Sequence, residues 1–193
     1  MDMEPSYIED RDFDKTDFTM QPLPAGHYDN CRFSGCNFSG TDLSGFRFAE
    51  CTFSACNISM VKLHKTALQD IRFTSCKLLG LHFEHCDTFL FSASFDQCTL
   101  QFSSFYQMKL KHTRFNKTDL REVDFTQADL SGVTLAHCDL HQAVFDQTIL
   151  EKADLRTALH YSIDPENNHI KKAHFSLPGV LGLLHKYDIR IED

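Results

Sequence analysis

A leucine, isoleucine or phenylalanine returns at every fifth position along most of this chain. The run goes from Phe33, Phe38 and Leu43 through Phe73, Leu78 and Phe83, then from Leu90, Phe95 and Leu100 to Leu150 and Leu155. An α-helix hides a period of about 3.6 residues and a half-buried strand a period of about 2. Neither can hide a beat of five, so the chain must turn a corner every five residues. A chain that keeps turning in this way is a solenoid, in which each coil buries its inner side against the next. The 193 residues make one domain of that kind.

Two places before most central residues stands a small one, as at Cys31, Cys36, Cys51, Cys56, Thr66, Cys76, Thr118, Ala128 and Ala153. Together with the central residues these fill a narrow core without voids. The other three places are mostly Asp, Asn, Ser, Gly, Lys or Gln, suited to solvent and tight turns. A longer period shows at every twentieth residue, where Phe13, Phe33, Phe53 and Phe73 are all phenylalanine, as are Phe105, Phe125 and Phe145. Twenty residues are four pentapeptides, so each coil has four sides and like residues stack at about the 4.8 Å spacing of strands.

The register breaks once, where seven residues separate Phe83 from Leu90. A two-residue bulge near 86–89 preserves every ladder, setting Phe83 on Phe105, Leu68 on Leu90 and Leu78 on Leu100. Residues 1–30 are expected to form a charged cap and irregular first coils, and residues 31–160 the repeat body. Residues 161–193 hold a loop, a last repeat at Ala173-His174-Phe175, a short helix capped by Ser176, and a short strand carrying Ile189 and Ile191.

The chemistry-bearing residues are largely absorbed by the beat. All eight cysteines fall at the small inward place, so they are expected as buried thiols in a reducing compartment, without metal. Asp42, Asp119, Asp124, Asp129, Asp139 and Asp154 share one turn position, where a carboxylate accepts a backbone N–H. No phosphate-binding glycine loop, zinc-protease motif or nucleophile elbow is present. The expectation is a protein that is not an enzyme and takes no cofactor or small-molecule substrate. No apolar leader or membrane span stands out, so the cytoplasm is the expected location.

The net charge is −8, of which residues 1–20 carry −5 and the repeat body very little. Lys109, Lys111, Arg114, Lys117 and Arg121 are mixed with Asp119 and Glu122, which points to a solvated face rather than a nucleic-acid groove. Leu79, Phe91, Phe102 and Tyr106 are apolar at outward places. With Asp87, Thr88 and Phe89 of the bulge they are candidates for a partner surface, the alternative being packing at corners. Val180, Leu181, Leu184, Ile189 and Ile191 give the C-terminal segment more apolar surface than a plug needs. A homodimer through that end is expected, against a monomer whose helix plugs the last coil.

The Ala-Asp-Leu triplets at 128–130 and 153–155 and the beat over roughly 11–175 make the chain resemble the pentapeptide-repeat family. The resemblance implies a right-handed, quadrilateral all-β solenoid. The segment Ser162-Ile163-Asp164-Pro165 to Lys172-Ala173-His174-Phe175-Ser176-Leu177-Pro178 is similar to the end of a narrower group. That group includes quinolone-resistance and albicidin or microcin immunity proteins. It implies a dimeric DNA-mimicking rod that occupies the DNA site of DNA gyrase or topoisomerase IV and protects the enzyme from inhibitors. A continuous negative face would favour mimicry, and scattered charge would favour a rigid scaffold for another protein.

Overall fold

The computed structural model describes residues 6–89 and 91–192 as a parallel, four-sided β-solenoid. One face pairs Ser6–Glu9, Gly26–Asp29, Arg47–Ala49 and Ala67–Gln69 into a four-stranded parallel sheet. The next face pairs seven strands in parallel, from Asp12–Asp14 through Arg32–Ser34, Thr52–Ser54, Ile71–Thr74, Ala93–Asp96 and Arg114–Asn116 to Leu135–Ala136. The other two faces are held by single parallel bridges, such as Asp17 to Asn37 to Asn57 to Lys77 and Asp42 to Lys62. Successive coils are linked by parallel crossovers, which are right-handed for the reason that governs twisted strands generally.

The corner is made by the backbone of one residue, two places after each central one. Asn30, Glu50, Lys65, Gln97, Gln127 and Lys152 all take a positive φ there, between 47° and 59°. Glycine pays nothing for this conformation, whereas an L side chain costs roughly 1–2 kcal/mol. Each of these six amides is paired with the next coil, as Glu50 N–H donates to Gln69 O at 2.9 Å. The strain is thus held by a ladder rather than relieved by sequence.

The interior is one continuous column of side chains. Phe13, Phe33 and Phe53 stack with ring centroids 4.7 Å apart, and the column continues through Phe73 and Phe95 to Phe115 at 5.2–5.3 Å. A second column runs Phe83, Phe105, Phe125, Phe145, with Phe83 and Phe105 4.5 Å apart and parallel to within 2°. Rings of adjacent columns meet edge-on, as Phe105 with Phe115 at 5.8 Å and 85°. This combines both geometries that the ring quadrupole favours.

The small inward residues do more than fill space. Thr66 Oγ1 donates to Leu43 O at 2.8 Å, Cys56 Sγ to Phe33 O at 3.3 Å, and Thr148 Oγ1 to Phe125 O at 2.8 Å. Each hydroxyl or thiol gives a second donor to the carbonyl of a central residue in the coil before. Size alone would have allowed alanine everywhere. The donor explains why Cys and Thr recur.

Several expectations are corrected. The pairing offset rises by two between the Ala67–Asp87 bridge and the Ile71–Ala93 pair, so the extra residues lie beyond 87, a little later than 86–89. Phe91, expected to face outward, is buried and meets Phe83 edge-on at 5.9 Å, because the extra residues turn it inward. Leu90 lies outside the described residues, and with it the expected steps onto Leu68 and Leu110. Met1–Pro5, the start of the expected cap, lies outside them too.

The first coil is regular where it pairs, since Ser6–Glu9 lies in register on Gly26–Asp29. The C-terminal helix is not α-helical. It consists of two 3-10 turns, Gly179–Leu183 and His185–Tyr187, ended by Asp188 at φ 48°. Ile189 and Ile191 form no strand, because no neighbouring coil offers them a backbone to pair with.

Candidate functional site

The asparagine and aspartate turn positions behave as expected of a scaffold. Asp119, Asp124, Asp129, Asp139 and Asp154 each accept the N–H two residues on, at 2.8–3.1 Å. Several also carry a cation. Arg121 and Arg156 each grip their aspartate through two nitrogens, and Lys111 Nζ lies 3.0 Å from Asp129. All five build turns, and Asp119, Asp129 and Asp154 are locally paired as well.

The outer rows can be read along the bridges. One face reads Asp17, Asn37, Asn57, Lys77, Thr99, Asp119, Asp139, and another reads His82, Ser104, Asp124, Val144. Lysine or neutral residues separate the acids on these rows, except that Asp119 bridges directly to Asp139. On these two rows the acids are interspersed with other residues, whereas the corner row of the four-stranded face, Asp10, Asn30, Glu50 and Asp70, carries three acids in four coils.

The expected partner residues separate. Phe89 is 87% exposed, and its N–H donates to Asp87 Oδ1 at 3.1 Å, which with the exposed Thr88 forms a small projecting turn. That turn follows the Leu68 face. Phe102 stands at a corner beyond the Leu100 face, across the coil, with φ 61° and 59% exposure. Tyr106 is exposed on the following face, and Leu79 is half-buried.

A residue that sequence reasoning missed joins Phe102. Met60 occupies the same corner two coils earlier, exposed and with φ 58°. Gly80 lies between them, and a Cβ there would come within 2.6 Å of Met60 Sδ. The corner therefore presents Met60 and Phe102 over a glycine. The signal was available at the corner place read every twentieth residue, where an apolar side chain gains nothing from the turn.

At the C-terminal end, Tyr161 is buried beneath Gly179 and Gly182, and Ile163 N–H donates to Gly182 O at 3.0 Å. Lys186 Nζ binds Asp164 at 2.7 Å and Glu166 at 2.6 Å, and Tyr187 Oη donates to Glu166 at 2.8 Å. The segment is thus pinned along one side. Its other side leaves Leu177, Val180, Leu181, Ile189 and Ile191 exposed, while Leu184 is half-buried. A cleft of about 450 Å³ runs beside Leu181 and Leu159.

All eight cysteines are buried and unbridged. Burial pushes the Cys51 thiol up to about 12 and that of Cys138 up to about 11. Among the described residues no three His, Cys, Asp or Glu side chains are gathered to hold a metal, and no helix is long and apolar enough to cross a membrane.

A model described as the pentapeptide repeat region matches residues 27–101, and one for pentapeptide repeats matches residues 90–127 and 124–159. No curated protein matches the chain. Among solved structures, a trypsin-treated form of QnrB1, a plasmid-mediated fluoroquinolone resistance protein, is 16% identical with a TM-score of 0.60, covering 99% of this chain and 100% of that one. HetL, a pentapeptide repeat protein involved in heterocyst differentiation regulation from the cyanobacterium Nostoc sp. strain PCC 7120, is 18% identical with a TM-score of 0.63. That likeness covers 91% of this chain and 88% of HetL. At such identity both similarities speak for the fold.

Proposed function

The chain belongs to the pentapeptide-repeat family, and from that premise we propose that it is a non-catalytic rod that binds a type II topoisomerase, DNA gyrase or topoisomerase IV, and shields it from inhibitors. The observation that carries this reading is the end-to-end likeness to a fluoroquinolone resistance protein, 99% of one chain against 100% of the other. The C-terminal segment that resembles this group lies within that span.

The structure alters the mechanism by which such a rod would act. Acids paired with a cation, as Asp119, Asp129 and Asp154 are, give little long-range attraction, since exposed pairs are screened over about a Debye length of 8–10 Å. Contact is therefore assigned to shape and to exposed apolar residues, namely Phe89 at the insertion and the Met60–Phe102 corner. Those residues also support a second reading, a rigid scaffold for an unrelated protein.

A supercoiling assay with gyrase and a quinolone, with and without the purified protein, separates the two. Protection that weakens in Phe102→Ser is expected. Neither inhibition nor protection by the wild-type protein would leave the scaffold.

Two rods are proposed to join through Val180, Leu181, Leu184, Ile189 and Ile191. Leu181→Asp places a charge in that apolar patch and is expected to yield monomers by light scattering. An unchanged dimer would move the interface elsewhere.

A further inference from the structure

The face built on Phe73, Phe95 and Phe115 carries a notch that a topoisomerase partner does not account for. Arg72, Ser94 and Arg114 stand opposite one another on three successive parallel strands. Strand neighbours lie about 4.8 Å apart, so the two arginine rows flank the serine row across roughly 10 Å. The middle row, Ser92 and Ser94, has short side chains. The rows on either side end in Asp70 with Arg72 and in His112 with Arg114. The result is a surface cleft of about 270 Å³.

The groups in this cleft are differently committed. Ser92 Oγ donates to Asp70 Oδ1 at 2.8 Å, which commits that hydroxyl and one carboxylate oxygen. Ser94 Oγ has only a long contact of 3.5 Å with Ile71 O. Arg32, Arg121 and Arg156 each hold an aspartate within 4.0 Å. Among the described residues Arg72 and Arg114 hold none. The sequence placed Arg114 in a mixed basic run, but folding disperses that run, taking Lys111 to Asp129 and Arg121 to Asp119. Arg114 is delivered instead to the notch with Arg72.

We propose that this notch binds a phosphoryl dianion, either inorganic phosphate or the monoester of a phosphorylated side chain. Guanidinium forks match phosphate oxygens in parallel pairs and hold them more strongly than neutral donors do. Here two guanidinium-bearing side chains line one cleft, on the strands to either side of Ser94. A tetrahedral phosphoryl group offers oxygens to both sides at once. A carboxylate brings two oxygens and one negative charge, against the more numerous oxygens and two charges of the phosphoryl dianion, so it is held less strongly by the same pair. Two fixed positive charges outweigh the single charge of Asp70, and His112 adds a donor at the rim.

The test is calorimetric titration at constant ionic strength, made up with chloride, using inorganic phosphate, N-acetyl-O-phosphoserine methylamide and acetate as probes. Saturable phosphate binding is expected, at least tenfold tighter than acetate. It should fall tenfold or more in Arg72→Gln, Arg114→Gln and the notch-filling Ser94→Gln. It should persist in Arg47→Gln, an exposed arginine on the neighbouring face. Tighter binding of the phosphoserine derivative assigns the site to a phosphorylated partner, and tighter binding of phosphate to the free ion. Equal binding by Arg114→Gln and Arg47→Gln, or by acetate and phosphate, overturns the proposal.

Discussion

Phe105→Ala tests whether the ring columns, rather than the backbone ladders alone, hold the rod together. Phe105 is fully buried. It stacks on Phe83 at 4.5 Å and Phe125 at 5.5 Å, and meets Phe95 at 6.2 Å and Phe115 at 5.8 Å edge-on. Truncating a buried phenylalanine costs about 3–5 kcal/mol, and aromatic pairs contribute roughly 0.5–1.5 kcal/mol beyond their area. With four ring partners, Phe105 belongs at the upper end, near 5 kcal/mol.

Phe145 is a control in the same column. It is 7% exposed and stacks on a single ring, Phe125, at 5.4 Å. Its truncation is expected to cost about 3 kcal/mol. Stability in a solenoid is close to a sum over neighbouring coils, so the gap of about 2 kcal/mol measures the extra contacts. Urea unfolding by far-ultraviolet circular dichroism reads both, the chain having no tryptophan to follow. If Phe105→Ala costs no more than Phe145→Ala, the columns are space-filling and the reasoning fails. A reduced urea slope in Phe105→Ala alone would show the two halves of the rod melting separately.

Further outcomes follow from the same geometry. Glu50→Gly, at an exposed corner with φ 52°, should raise stability by about 1 kcal/mol, and Gly45→Ala, at φ 76°, should lower it by a similar amount in thermal melts. At pH 8 iodoacetamide should label none of the eight cysteines in the native protein and all of them in urea, by intact mass, because every thiol is buried out of reach of the reagent. The Arg156 guanidinium, bonded to Asp154, holds that carboxyl down to about 2, so its stabilising effect is present above the unfolded value of about 3.9 and lost as pH falls through 2. Melting temperatures of wild type and Arg156→Gln should therefore differ at pH 6 and converge toward pH 2, and a constant difference would contradict this.

The legible part of the protein was the part made of repeats. Phe33 and Phe53 could be placed on one another because a fixed period converts sequence distance directly into vertical distance. Phe83 on Phe105 followed across the insertion for the same reason. Phe91 was misplaced because the beat stops at the insertion, and two extra residues can rotate either neighbour inward. Met60 was overlooked because the corner place was treated as a turn position rather than as a row along the rod. The short helix after Ser176 is present as 3-10 turns, with Gly179 N–H donating to Ser176 Oγ at 3.1 Å, but the strand at Ile189 and Ile191 was misassigned because alternation over three residues does not supply a pairing partner.

By itself, the sequence determined the solenoid, its four sides, the identity of its stacked rings and the burial of every cysteine. Each of these depends only on position modulo a repeat. The tertiary structure alone decided which outward residues meet, because lateral neighbours belong to different coils and their charges interact only once those coils are stacked. It brought Arg72 beside Ser94 and Arg114, tied Lys111 to Asp129, joined Met60 to Phe102 across Gly80, and separated Phe89 from Phe102 by the width of the rod.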